Sequence, residues 1–240
     1  MQIRSGSVIL CAAAALLATL ACSDHPAISE PSLAALPIDI LPLAAGAQWR
    51  YNLSHTIEEN VSGPVSDRLN IKKTYGELNL AVREEHGSTF LRSWNLAASL
   101  TIDSVRYEQF IDGLPDTSYT VWLNSSETTL YTIEYEQDTL WYHTPKGRDY
   151  MATSSYRPGG TIDLRLFDYA DNGFFNSPLN SALALGNGDL VFHSFRGSLM
   201  TAAKVTPALG PIGVWGFHMV GDPSTGQSWR SEEMRFGLIR

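Results

Sequence analysis

The side chains that could hold a metal ion are scattered along this chain. Its six histidines are His25, His55, His86, His143, His193 and His218. A helical zinc site needs two histidines a few residues apart on one face, and this spacing does not occur. The acidic run Asp168–Gly173 is also unsuited to an EF-hand calcium loop, because Ala170 and Leu179 stand where that loop needs oxygen ligands. The sequence therefore predicts no metal site and no cofactor.

Motifs for covalent or phosphate chemistry are absent from the sequence. It contains no Gly-x-Ser-x-Gly elbow, no phosphate-binding Walker loop and no dinucleotide fingerprint. The acid pairs Glu84-Glu85 and Glu232-Glu233 fall in strand-like segments, where neighbouring side chains point to opposite faces and cannot act together on one substrate. Distant carboxylates could still meet in the fold, so the sequence leaves enzymatic activity open and favours binding.

Aromatic side chains crowd the later predicted strands and are the most suggestive feature for binding. The candidate ligand-binding aromatics are Trp122, Trp141, Tyr142 and Trp215. Trp141 and Tyr142 are adjacent, so on a strand they point to opposite faces and one of them leaves the core. In a closed or curved sheet the inner rings could enclose an apolar ligand, whereas exposed rings could stack on a glycan. Ordinary core packing is the competing interpretation.

The elements that must position these side chains are predicted to be strands. Trp49, Tyr51, Leu53, His55 and Ile57 recur at every second residue, which is typical of a half-buried strand. Similar alternation continues along the chain, with turn residues at short spacing. We therefore predict an all-β fold over residues 43–240, an antiparallel meander that forms a sandwich or an open or closed barrel.

One stretch departs from this pattern. Arg157 to Gly188 is rich in Gly, Pro, Asn and Asp, which predicts one long loop. Within it, Ser177 to Leu185 has the composition of one short helix. Long ordered loops are often functional, so a catalytic site, if there is one, is predicted in this loop.

The N-terminus is predicted to be a signal peptide over residues 1–21. Arg4 is the only charged residue before Asp24, and the apolar run from Val8 to Ala21 is shorter than the roughly 20 residues that a membrane-spanning helix needs. A short positive start followed by an apolar run of this length and a small residue is typical of export.

The end of that run, Leu17-Ala-Thr-Leu-Ala-Cys22, resembles the lipobox of bacterial lipoproteins. The resemblance implies that Cys22 is acylated, becomes the first residue of the mature protein and anchors it to a membrane. The chain has two cysteines, and Cys11 lies inside the predicted signal peptide. Acylation would remove the remaining thiol, which is a liability in an oxidising compartment. Ser23 follows Cys22, which by analogy with lipoprotein sorting implies the outer membrane. Secretion without acylation is the alternative.

Residues 22–42 are predicted to form the lipidated cysteine and a tether. Prolines at positions 26, 31, 37 and 42 interrupt this segment and favour an extended chain. The net charge of the whole chain is −8, and the predicted signal peptide contributes one Arg and no acid to it. This acidic balance argues against nucleic acid as a partner and against a polybasic attachment to lipid.

Two further segments resemble the ends of uncharacterised β-rich bacterial lipoproteins. Leu41 to Tyr51 is similar to their PLxxGxxWxY opening, and Trp229 to Arg240 is similar to their closing strand, which ends in Gly-Leu and Ile or Val. The resemblance implies an antiparallel β-rich body and no established activity.

Together these features predict an exported lipoprotein of the cell envelope, held at the outer membrane through Cys22. Its β domain is expected to bind a ligand or an envelope partner, and the ligand could be apolar, a glycan or an envelope protein. The alternatives are a hydrolase acting on envelope polymers or glycans and a purely structural envelope component.

Overall fold

The computed structural model of the chain describes residues 43–87, 91–137, 139–144, 147–153, 161–168, 174–175, 178–185, 188–206, 209–225 and 227–239. The predicted signal peptide, Cys22 and the tether lie outside these residues. No described helix is long and apolar enough to span a membrane.

The described residues form twelve strands and two short 3-10 helices. The strands are β1 Gln48–Ser62, β2 Asp67–Gly87, β3 Leu91–Ile111, β4 Leu114–Glu136, β5 Thr139–Thr144, β6 Gly147–Thr153, β7 Thr161–Ile162, β8 Leu179–Ala184, β9 Leu190–Arg196, β10 Leu199–Thr206, β11 Gly210–Val220 and β12 Trp229–Leu238. The 3-10 helices are Arg165–Phe167 and Pro223–Thr225. Each strand pairs antiparallel with the next, and β12 pairs with β1 to close the barrel. The predicted all-β meander is confirmed, and of the two predicted architectures the barrel is the one adopted.

Alternation on β1 shows why the sequence folds this way. Trp49, Tyr51 and Leu53 face the interior and are almost fully buried, while the residues between them are exposed. The barrel is closed at the edge of β1 that pairs with β12. There the Ile239 N–H donates a hydrogen bond to the Arg50 carbonyl over 2.8 Å. At the β3–β4 turn, Asp112 and Gly113 both have positive φ, which is the geometry that an Asp-Gly hairpin favours.

The strands differ greatly in length. β2, β3 and β4 have 21, 21 and 23 residues, whereas β5 to β8 have between 2 and 7. β4 pairs with β5 only through residues 132–136, and residues 114–130 are exposed throughout. The long strands therefore continue past one end of the barrel as a projecting sheet.

The interior of the barrel is filled by a segment that follows β7. Leu164, Leu166 and Phe167 are buried, and the Phe167 ring packs edge-on against Tyr51 at 5.0 Å and against Phe236 at 5.2 Å between centroids. Since Tyr51 and Phe236 come from adjacent strands β1 and β12, this segment lies inside the lumen. It supplies core volume that the strands alone do not provide.

The predicted single long loop over Arg157–Gly188 was wrong in part, because β7, a 3-10 helix and β8 lie within it. The predicted helix over Ser177–Leu185 was also wrong, since Leu179–Ala184 is strand β8 and pairs with β7 and β9. Ala and Leu are good helix formers, but intrinsic helix preferences span less than about 1 kcal/mol per residue, and hydrogen-bonding partners on both sides outweigh them. The described residues contain no α-helix.

Candidate ligand-binding cavity

The lumen contains a partly open cavity of about 350 Å³ between the long strands and the internal segment. The residues that shape it are Leu78, Leu100, Glu127, Tyr131, Phe167 and Asp168. They come from β2, β3, β4 and the segment that follows β7. This volume lies within the range of small-molecule sites, roughly 300–1,000 Å³.

One wall of the cavity is apolar. Leu78 and Leu100 are cross-strand partners on β2 and β3, so their side chains lie together on the inner face of the sheet. Phe167 and Phe236, which pack edge to face, complete this wall. The apolar wall is suited to the hydrocarbon part of a ligand.

The polar wall of the cavity lies beside the apolar one, on β4, where Glu127 is the cross-strand partner of Leu100. Glu127, Thr129 and Tyr131 follow each other at every second residue of β4, and therefore face the same side. Asp168 joins them from the end of the 3-10 helix Arg165–Phe167. Burial raises the pKa of Tyr131, and the nearby negative charge of Asp168 raises it further. The phenol thus stays protonated at neutral pH and can both donate and accept hydrogen bonds.

An ion pair holds the internal segment in position beside this wall. Arg165 donates to both carboxylate oxygens of buried Asp163, at 3.2 and 2.7 Å, and its guanidinium lies 4.9 Å from the centroid of the Tyr142 ring. The hydrogen bonds to Asp163 raise the pKa of Arg165. The Tyr142 hydroxyl in turn donates to the Asp163 carbonyl at 3.2 Å. These contacts fix the polar wall before any ligand arrives.

The cavity therefore combines two carboxylates and a phenol with an apolar surface. Carboxylates accept hydrogen bonds from ammonium or hydroxyl groups and attract positive charge. An arrangement of this kind suits a small amphipathic molecule with a cationic or hydroxyl-rich end. Two carboxylates in one cavity are also a minimal requirement for acid–base hydrolysis.

The four predicted binding aromatics lie in different places. Tyr142 is fully buried inside the barrel, near the cavity wall. Trp141 faces outward, packs edge-on against Tyr150 and lies beneath the Arg148 guanidinium. Trp122 is 79% exposed on the projecting part of β4. Trp215 lies on the outer face of β11, stacked on Phe217, and its indole N–H donates to Glu233 at 2.7 Å. The fold does not bring these four rings together.

Sequence reasoning missed Glu127 and Asp168 as a pair. The every-second-residue spacing of Glu127 and Tyr131 was a usable signal, because it places them on one strand face. Asp168 stood out in the sequence only as part of a possible calcium loop, whose following residues 169–173 lie outside the described part of the chain. No local pattern indicates that Asp168 meets β4.

The histidines take part in separate contacts. His55 lies 2.8 Å from Glu232 inside the barrel, His143 contacts Glu134, and the His193 ring packs on Phe195 at 5.3 Å. Within the described ranges, no three His, Cys, Asp or Glu side chains are grouped so that they could hold a metal ion.

No family model matches this chain, and no curated protein matches it. Among solved structures, the chain is similar to a β-barrel-like protein of the domain of unknown function DUF1849 from Brucella abortus. The two share 9% identity with a TM-score of 0.20, over 82% of this chain and 98% of that chain.

Proposed function

We propose that this protein is an exported lipoprotein of the cell envelope whose barrel holds a small amphipathic ligand in its lumen. The observation that carries the binding part is the preformed cavity of about 350 Å³, whose lining places the carboxylates of Glu127 and Asp168 beside aliphatic and aromatic side chains. The cavity is already shaped and partly open, and its lining combines polar groups that can orient a ligand with apolar side chains that can pack on it.

The anchoring part of the proposal is supported by the sequence before residue 43. Cys22 directly follows the short apolar run and precedes a proline-interrupted segment. The acidic balance of the chain, −8, offers little other attraction to anionic lipid. Acyl chains contribute about 0.8 kcal/mol for each buried methylene, so two or more chains hold a protein stably at a membrane.

Membrane fractionation of a Cys22→Ser variant tests the anchor. The wild-type protein should sediment with membranes, and Cys22→Ser should appear in the soluble fraction or retain its signal peptide. Cys11→Ser is the matched control, because Cys11 lies within the predicted signal peptide and its loss should leave the fractionation unchanged. A processed Cys22→Ser protein that stays with the membranes would show that the anchor lies elsewhere.

Native mass spectrometry of the protein purified from its own host tests the cavity. A bound small molecule should appear as an added mass, and Leu100→Trp, which fills the cavity, should remove it. Leu130→Trp is the control, since Leu130 is 74% exposed and lies outside the cavity. An added mass that persists in a folded Leu100→Trp variant, or no added mass in the wild type, would contradict a lumen ligand.

A hydrolase is the second candidate function, because Glu127 and Asp168 line one cavity. Incubation with envelope glycans, followed by chromatography of the products, would detect turnover. If the two carboxylates act as acid and base, Glu127→Gln and Asp168→Asn should each remove turnover while the variants remain folded. Equal activity in both variants and the wild type would place any hydrolysis outside this cavity.

A further inference from the structure

The projecting sheet carries a second concave surface, at a distance from the lumen cavity along the strands. It consists of residues 57–62 of β1, 67–73 of β2, 105–111 of β3 and 114–121 of β4, together with the start of β12. On one face of this sheet lies an open trough of about 500 Å³. Ile57, Lys72 and Tyr107 of this face stand two residues beyond His55, Thr74 and Val105, which are buried in the barrel. The trough is therefore the continuation of the inner face.

An aromatic row crosses this trough. The strand register places Lys72 opposite Tyr107, and Tyr107 opposite Tyr119. The two tyrosine rings are stacked, with centroids 5.0 Å apart and planes 20° from parallel. Tyr119 is 53% exposed. The pair of rings therefore presents an accessible apolar surface. Stacked rings are more often buried in a core.

A polar row runs beside the aromatic row, one step farther from the barrel. Arg230 lies opposite Glu59, Glu59 opposite Asn70, and Asn70 opposite Gln109. The Gln109 amide donates a hydrogen bond to the Asn70 side-chain oxygen at 2.8 Å. This bond orients both amides and leaves the Asn70 N–H groups and the Gln109 carbonyl available to a ligand.

The two rows together match the chemistry of a sugar ring. The C–H faces of a pyranose carry a small positive charge and pack on the negative faces of aromatic rings. Its hydroxyl groups both donate and accept, and planar amide, carboxylate and guanidinium groups satisfy them in pairs. A purely apolar ligand would displace water from the polar row without replacing its hydrogen bonds. We infer that the trough binds a saccharide, as a site separate from the lumen cavity.

Titration with three soluble oligosaccharides tests this inference. The probes are cellohexaose, chitohexaose and hexagalacturonate, which present neutral, N-acetylated and acidic sugar rings, and binding is followed by NMR shifts of the isolated protein. At least one probe should bind with a Kd of about 1 mM or tighter. Tyr119→Ala should weaken that binding about three- to tenfold, because it removes one stacking face.

Two further variants make the test specific. Gln109→Leu keeps the bulk of the side chain and removes its amide, and it should also weaken binding several-fold. Tyr75→Ala is the control, since Tyr75 is 41% exposed and lies on the opposite face of β2 from Lys72. Leu100→Trp, which fills the lumen cavity, should leave this binding unchanged and so separates the two sites. The inference is overturned if no probe binds, or if Tyr119→Ala and Gln109→Leu bind as tightly as the wild type.

Discussion

The closed barrel and the projecting sheet share strands β1 to β4 but are stabilised in different ways. In the barrel, alternate residues of β1 to β3 face the internal segment, and the ring of Phe167 contacts rings from two strands. In the projecting sheet, the corresponding faces carry exposed tyrosine, lysine and amide side chains. The comparison shows that backbone pairing can extend a strand well beyond its hydrophobic core. The projecting sheet buries less side-chain surface than the barrel does, and it therefore exposes more surface to solvent.

The largest difference should appear when one large ring is removed from each region. Phe167→Ala should lower the free energy of unfolding by about 3–5 kcal/mol, because it leaves a cavity where a buried ring stood. Trp122→Ala should change it by no more than about 0.5 kcal/mol, because that ring is 79% exposed. Urea unfolding measures the free energy of unfolding of both variants. Circular dichroism follows the unfolding of both, and tryptophan fluorescence also follows that of Phe167→Ala. Similar losses would mean that the projecting sheet has a packed core of its own.

The next largest effect is expected at Gly76, on the inner face where the barrel meets the projecting sheet. A Cβ at this position would stand 2.2 Å from the Thr101 carbonyl oxygen, beside an irregularity in the β2–β3 register. Gly76→Ala should therefore destabilise the protein by about 1–3 kcal/mol, as the backbone must move. Gly237→Ala is the control, because a Cβ there meets nothing within 4 Å. Thermal unfolding monitored by circular dichroism checks both; equal melting temperatures would contradict the close approach.

The smallest effect should come from the His55–Glu232 pair at the same junction. The hydrogen bond from His55 lowers the pKa of Glu232 below its ordinary value of 4.5. A carboxyl with a lowered folded-state pKa stabilises the protein above its unfolded pKa, and this contribution disappears as the pH falls through the folded value. The loss should be about 1 kcal/mol, the usual net contribution of one hydrogen bond, because burial of Glu232 opposes the effect of His55 on its pKa.

Urea unfolding from pH 7 down to pH 3 (a range set by ordinary carboxyl titration) would test the pair. Glu232→Gln should show a smaller fall in stability over the acidic part of that range than the wild type does. If both proteins lose stability in parallel, Glu232 does not contribute to the acid sensitivity.

Much of the fold could be predicted because its strands carry local signals. The alternation of Trp49, Tyr51 and Leu53 specifies both a strand and its buried face, and Asp112-Gly113 specifies a hairpin. Closure of the barrel had no such signal. His55 and Glu232, which meet inside it, are separated by 177 positions, and no periodicity links them. The composition of residues 177–185 fits a helix or a strand equally well, and only pairing with β7 and β9 decides between them.

The candidate site was harder to predict than the fold. The aromatic candidates were chosen by residue type, but their direction depends on register, so Tyr142 points inward and Trp141 outward. The polar wall needs Asp168 to approach β4, which depends on the whole path of the internal segment. Tyr107 and Tyr119 also depend on register, because the turn at Asp112-Gly113 alone would pair Tyr107 with Ser118, and the irregularity between Gln109 and Phe110 shifts the pairing to Tyr119.

The pairing of β1 with β12 also has a consequence for how the chain matures. Synthesis delivers the strands in order, so β1 waits with one open edge until the twelfth strand has been made. During that interval the nascent sheet is a curved ribbon with exposed edges at both sides, which is the state in which strands pair with the wrong neighbour. A chaperone that covers these edges would be needed during this waiting time rather than after it, and the waiting time would lengthen with every residue inserted between β1 and β12.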